Sequence, residues 1–175
     1  MFRKAVPEDT DAVTRIYDAI HDAEEAGAVT IGWVRGIYPT RETAEAAIAA
    51  NDLFVLAEDG EIVAAARINR IQVPEYADAH WQFDAPEDQV MVLHTLVVSP
   101  RHSGKGYGTR FVVFYEDYAV THGCPYLRMD TNIKNKIARR MYRKLGYTET
   151  DIVPSFFNGI AGVELVCLEK NLLGR

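Results

Sequence analysis

Cysteine is scarce in this 175-residue chain. Cys124 and Cys167 are far apart and outside any Cys-x-x-Cys or Cys/His ligand spacing, so neither a disulfide framework nor a metal site is expected, and both read as buried reduced thiols. No run of about 18 apolar residues occurs, which leaves no candidate membrane span. The N-terminal stretch MFRKAVPEDTDAV turns acidic where a signal peptide needs apolar residues, so a soluble cytoplasmic protein is expected. Internal repeats, low-complexity tracts and Pro/Gly/Ser linkers are also missing, which predicts one domain over residues 1–175. An excess of positive charge is absent too: the net charge is −6, which argues against a nucleic-acid partner or an anionic membrane surface.

What is present suits a chain that folds alone. Apolar residues make up 48% and charged residues 25%, close to the globular average and far from disordered compositions. The charge is unevenly spread: residues 1–90 carry a net of −11 and residues 91–175 a net of +5. A basic half on an acidic chain suits an anionic ligand on that side, although plain solvated faces give the same pattern.

Apolar periodicity predicts a first helix near 9–26 through Val13, Ile16, Tyr17 and Ile20, and a second near 40–50 with Thr40 as N-cap. Leu53–Ala57 and Ile62–Ile68 read as antiparallel strands joined at Asp59-Gly60, a strong hairpin signal. Residues 70–89 show no period of either kind and hold Tyr76, His80, Trp81 and Phe83 among five acids. A loop of that length in a compact domain is usually functional or disordered, and its aromatics favour an ordered one. The run 90–98 (VMVLHTLVV) is expected to be a central strand buried on both faces. A glycine-rich turn, a helix ending near Gly123, a strand at 126–131, a basic helix at 135–145 and strands near 147–153 and 162–169 complete the series. Strand, helix and strand over 90–131 predict a right-handed parallel unit in a mixed sheet.

The sharpest signal is Pro100-Arg101-His102-Ser103-Gly104-Lys105-Gly106-Tyr107-Gly108-Thr109, set between a buried strand and a helix. Glycines there let backbone N–H groups approach a ligand, and the helix N-terminus favours negative charge, so the segment suits phosphate. The dinucleotide spacing G-x-G-x-x-G fails, since the glycines fall as G-x-G-x-G. The Walker loop fails as well, because Gly106 follows Lys105 where Ser or Thr should bind magnesium.

Ser103-Gly104-Lys105-Gly106-Tyr107-Gly108 resembles the pyrophosphate loop of the GNAT acetyltransferase superfamily, Arg/Gln-x-x-Gly-x-Gly/Ala, with Ser103 where Arg or Gln is usual. Downstream, Asn135, Ala138, Tyr142, Gly146 and Tyr147 match that superfamily's second signature, Asn-x-x-Ala-x-x-x-Tyr-x-x-x-Gly-Phe/Tyr. The resemblance is close over 90–147. It implies an α/β fold of the GNAT type: a mixed, mostly antiparallel sheet of six to seven strands, about four flanking helices and a splayed central strand at 90–98.

The resemblance also implies acetyl-CoA as cofactor and direct acetyl transfer to an amine. Leu96, Val97 and Val98 would line the pantetheine arm, Ser103 to Thr109 would cradle the pyrophosphate, and Tyr142 would protonate the departing thiolate. Asn135 would contact pantetheine or cap its helix. His94 stands where relatives often place a Glu or His and is the candidate base, an imidazole being suited to proton uptake near neutrality; the alternative is a satisfied core histidine. Asp130, Thr131 and Asn132 end the next strand and could reach the same cleft. By family analogy the acceptor side includes Trp33, Tyr38, Tyr76, His80, Trp81, Asp84, Glu87 and Asp88, an acidic and aromatic set suited to an amine with an apolar or second cationic part. The expected activity is N-acetylation of a small-molecule amine. The alternatives are acetylation of protein N-termini or lysines, or an acyl-CoA-binding sensor without turnover; a homodimer is the assembly the resemblance implies.

Overall fold

The computed structural model describes residues 1–173. Strand β1 (Phe2–Lys4) leads through a short turn to α1 (Thr10–Glu25), then α2 (Arg41–Ala49), β2 (Leu53–Glu58), β3 (Glu61–Asn69), β4 (Val90–Val98), α3 (Tyr107–Thr121), β5 (Tyr126–Asn132), α4 (Lys136–Lys144), β6 (Thr148–Phe157) and β7 (Ile160–Asn171). The seven strands form one sheet in the order β1-β2-β3-β4-β5-β7-β6. Only β4 and β5 pair in parallel; every other neighbour is antiparallel.

Two differences from the sequence reading bear on the site. The three-residue strand β1, too short to show a period, pairs with β2 at Arg3 and Val55. The last two strands are longer than expected and meet in one hairpin whose turn is Asn158-Gly159, both at positive φ, which suits the twist of the flanking strands. That hairpin carries Phe157 and Ile160 to the cleft described below.

The sheet is covered on both faces, as its continuous apolar strands require. On one side, Phe111, Val112 and Tyr115 of α3 and Tyr142 of α4 pack with Met91, Leu93, Leu127 and Met129. On the other, Val13, Ile16, Tyr17 and Ile20 of α1 pack with Val55, Ala65 and Val97. Farther along that second face, Tyr76 packs with Val90, Val92, Leu165 and Cys167. Both cysteines are free and buried.

The 70–89 segment is ordered, with short 3-10 turns at Pro74–Asp78 and Glu87–Gln89. A buried ion pair fixes it. Arg128 Nε donates to Glu169 Oε1 at 3.1 Å, Nη1 to Gln72 Oε1 at 2.6 Å and Nη2 to the Phe83 carbonyl at 3.2 Å. The Trp81 ring lies 4.2 Å from that guanidinium, and Glu169 Oε2 accepts the backbone N–H of Gln82 and Phe83.

Candidate active site

The decisive local feature is where β4 leaves β5. Their parallel ladder runs from Val90 opposite Tyr126 to Leu93 opposite Met129 and stops there, while β5 stays paired with β7 out to Asn132 opposite Leu165. On its other side β4 remains paired with β3, but the register slips between Ala65 opposite Val97 and Arg67 opposite His94. One residue of β3, Ala66, thus faces two of β4, Thr95 and Leu96, a bulge that bends the strand. Thr95 sits in the bulge at φ 52°, a conformation uncommon for a β-branched residue. The Tyr38 hydroxyl hydrogen-bonds to Thr95 Oγ1.

The bulge and the missing ladder open a slot through the sheet. The cleft there has a volume of about 960 Å³. Of the expected cofactor residues, Leu96, Val97, Val98, Ser103, Gly104, Gly106, Tyr107, Gly108, Thr109, Asn135 and Tyr142 line it; Lys105 is exposed and does not. Of the expected acceptor residues, Trp33, Tyr38 and Asn132 line it and Tyr76 and Trp81 do not. Asp84, Glu87 and Asp88 are exposed and also outside it, so the acidic loop is a solvated face rather than a wall of the cleft.

At the phosphate end, Gly104 and Gly106 have φ of 77° and 79°, where a side chain is strained. Gly106 precedes the first turn of α3, so the free N–H groups of that turn open onto the cleft. His102 lines the same end, and its Nδ1 is buried without a hydrogen-bond partner among the described residues. A flexible glycine turn, a helix N-terminus and an orphaned ring nitrogen suit a pyrophosphate, and the unpaired β5-facing edge of β4 beyond Leu93 suits an amide-bearing arm. The site therefore fits CoA despite Ser103.

Asn135 fills the capping role the sequence offered and also lines the cleft. Its Oδ1 accepts the backbone N–H of Ala138 at 3.1 Å, so it caps α4. That cap leaves Tyr142 about two turns on, 6% exposed and lining the slot. Burial and the nearby Asp130 carboxylate push the Tyr142 phenol above its ordinary range, so it is protonated at neutral pH.

On the opposite sheet face, three side chains form a row across three strands: Arg67, His94 opposite it, and Asp130, one residue past Met129. His94 Nε2 meets Asn69 Oδ1 at 3.0 Å. Because Asn69 Nδ2 donates to Asp52 Oδ2 at 2.7 Å, Oδ1 is the atom facing the ring, and Nε2 is the protonated nitrogen. Burial and Arg67 depress the imidazole to about 4, so His94 is neutral and a weak proton acceptor. Asp130 is the reverse. Burial raises it to about 6 even though the Tyr76 hydroxyl donates to its Oδ2 at 2.7 Å.

Asn132 is held in place from two sides. Its Oδ1 accepts the Lys134 N–H at 3.0 Å, and Gly32 lies so close that a Cβ there would fall 2.4 Å from its Nδ2. The Glu24 carboxylate fixes the Gly32 loop by accepting from Ile31 N at 2.6 Å and Gly32 N at 3.0 Å. Arg67 was not singled out by the sequence reading. Its signal is a lone arginine in the apolar strand IVAAARIN, directly across from His94.

The acetyltransferase (GNAT) family profile matches residues 13–147. The chain belongs to the GNAT acetyltransferase family. It is 28% identical over 76 residues to an uncharacterized N-acetyltransferase of Methanocaldococcus jannaschii, a match covering 43% of this chain and 34% of that one; the chain thus spans about a third of the curated relative it matches. Two solved structures share the fold. One is yncA of Salmonella typhimurium with its cofactor acetyl-CoA, at TM-score 0.70 and 20% identity over 100% of this chain and 95% of that one. The other is the ribosomal-protein-S18-alanine N-acetyltransferase of Escherichia coli, at TM-score 0.67 and 15% identity over 98% and 93%. This GNAT enzyme has the mixed, mostly antiparallel seven-stranded sheet and four helices expected of the family, and its cofactor is acetyl-CoA. No helix among the described residues is long and apolar enough to cross a membrane.

Proposed function

We propose that this GNAT enzyme moves the acetyl group of acetyl-CoA to a primary amine of a small molecule. The observation that carries the reading is the slot between β4 and β5, with a protonated phenol facing it from one side of the sheet and a carboxylate of raised basicity from the other. When bound, acetyl-CoA supplies an activated acyl carbon and a thiolate leaving group. Backbone N–H groups on the β5-facing edge of β4 beyond Leu93, which β5 leaves unpaired, would be available to the developing oxyanion of a bound thioester. Tyr142 gives its proton to the departing sulfur, a general-acid role worth about 10²–10⁴-fold.

The amine arrives as ammonium and must lose a proton before attack. Asp130 is better suited to take it than His94, because a base is most effective when its pKa lies near the working pH. His94, neutral and tied to Asn69, then positions the wall of the acceptor site or passes the proton on. Carbon–nitrogen bond formation and carbon–sulfur cleavage balance: the ammonium loses one proton to Asp130 before attack and a second as the tetrahedral adduct collapses. This second proton replaces the one Tyr142 gives the thiolate, so amide, CoA thiol and one proton passed to solvent from Asp130 are the products.

Release of free CoA thiol over a panel of amines and short peptides checks the reading. Turnover with free amines supports it. Turnover with peptides alone favours acetylation of protein N-termini or lysines, and acetyl-CoA binding without turnover on either favours a sensor.

A further inference from the structure

The acceptor end of the cleft carries a cation as well as an anion. Arg67 lines it, and its guanidinium is only partly used. Nε alone contacts Asp52, at 2.9 Å to Oδ1 and 3.0 Å to Oδ2. No acceptor among the described residues engages Nη1 or Nη2, and the side chain is 36% exposed. Asp52 is itself buried and held by Asn69, so the arm is braced while its far edge, with four N–H donors, stays open to a ligand. Such an edge matches an oxyanion in bidentate geometry.

The spacing limits what fits. Arg67, His94 and Asp130 lie on adjacent strands, so the backbones of the outer two are separated by about two strand spacings, roughly 10 Å, and somewhat more where β4 and β5 part. Both side chains line the cleft. The ligand between them is short. Ile71, Val73, Phe157 and Ile160 are among the other lining residues and offer apolar surface to a neutral side chain, and no carboxylate besides Asp130 lines the cleft among the described residues to meet a second cation. The neutral His94 between the two charges adds none of its own.

We propose that the acceptor is a compact amino acid with a neutral side chain, its amine at Asp130 and its carboxylate on the open Nη edge of Arg67. This rests on the reading that a small amine enters the slot and makes Arg67 a specificity-determining residue. It also revises the expectation of a second cationic part on the amine, which relied on acids that face solvent.

Matched pairs test it: leucine against isoamylamine and leucinamide, phenylalanine against phenethylamine, and γ-aminobutyrate against butylamine, each with saturating acetyl-CoA. The expected result is a kcat/KM at least tenfold higher for at least one acid than for its uncharged counterpart, carried mainly by KM. In Arg67→Gln that ratio should collapse toward one, and Arg67→Lys should restore part of it. A general structural defect would lower acid and amine alike and leave the ratio standing. Equal or better use of the uncharged amines by the wild-type enzyme overturns this proposal while leaving amine acetylation intact. Absence of turnover on every free amine, with acetyl-CoA still bound, overturns both, and the wild-type comparison decides the matter even if the Arg67 variants fail to fold.

Discussion

The Tyr76 hydroxyl donates to Asp130 Oδ2 at 2.7 Å, joining the 70–89 segment to β5 where it lines the cleft. Tyr76 does not line the cleft, yet it holds the carboxylate that does. The aromatic excursion therefore acts from behind the site, as a clamp on its acid.

Asp130 should destabilise the fold it serves. Its protonation midpoint rises from an ordinary 3.8 to about 6, so the folded chain binds that proton more tightly than the unfolded chain. This group's stability contribution is greatest below about 4, falls as pH rises to about 6 and stays low above. Replacing it by Asn, which can still accept from Tyr76, is expected to raise stability at pH 7–8 by on the order of 2–3 kcal/mol and by nothing at pH 4. Melting curves of wild type and Asp130→Asn across pH 4–8 check this. A constant difference would remove burial of the charge as its cause.

The same carboxylate sets the acidic limb of activity. With an acceptor of fixed pKa, kcat/KM should acquire an additional loss as pH falls below about 6, where Asp130 takes up its proton. If His94 were the base, that limb would lie near 4 instead. Asp130→Asn should cost about 10²–10⁴-fold in kcat/KM, and His94→Gln considerably less. The reverse order returns the role to His94.

Asn135→Ala should cost stability rather than cofactor affinity. Its side chain caps α4 through the Ala138 N–H, and losing such a cap costs about 0.5–2 kcal/mol. Urea unfolding should show that loss while the Kd for CoA changes less than threefold, about 0.6 kcal/mol. A tenfold weaker CoA with unchanged stability would identify Asn135 as a ligand contact.

Arg128→Met should loosen the excursion. The residue is buried with Glu169 and reaches both Gln72 and Phe83; breaking a buried pair from one side costs about 3–5 kcal/mol. Amide hydrogen exchange at Gln82 and Phe83 should accelerate before that of β4, and the KM for the acceptor should rise. Unchanged exchange there would show that Arg128 does not hold the segment.

The strands and helices that carry strong periods or turn signals were legible from sequence, including α1, the β2–β3 hairpin and the β4–α3–β5 unit. The long hairpin at 158–159 also carried its signal, an Asn-Gly pair between Phe157 and Ile160, but the polar residues of β6 obscured the strand before it. Tyr142 and the glycine loop were legible because one motif fixes each. The Arg67, His94 and Asp130 row was not, since it depends on a bulge at Thr95 and on two strand registers that no local pattern reveals. Tyr76 and the loop acids share one segment, and only packing shows that the first points in and the others out.

On the proposed mechanism, the slot between β4 and β5 transfers acetyl to a free amine with Tyr142 as the acid. The most direct measurement follows acetylated amine and free CoA thiol together, by mass spectrometry and thiol titration, for wild type and Tyr142→Phe. Wild type should form the two products in equal amounts, and Tyr142→Phe should form both about 10²–10⁴ times more slowly with an unchanged Kd for CoA. Equal rates in the two proteins, or no acetylated amine from a wild type that binds acetyl-CoA, would contradict the claim.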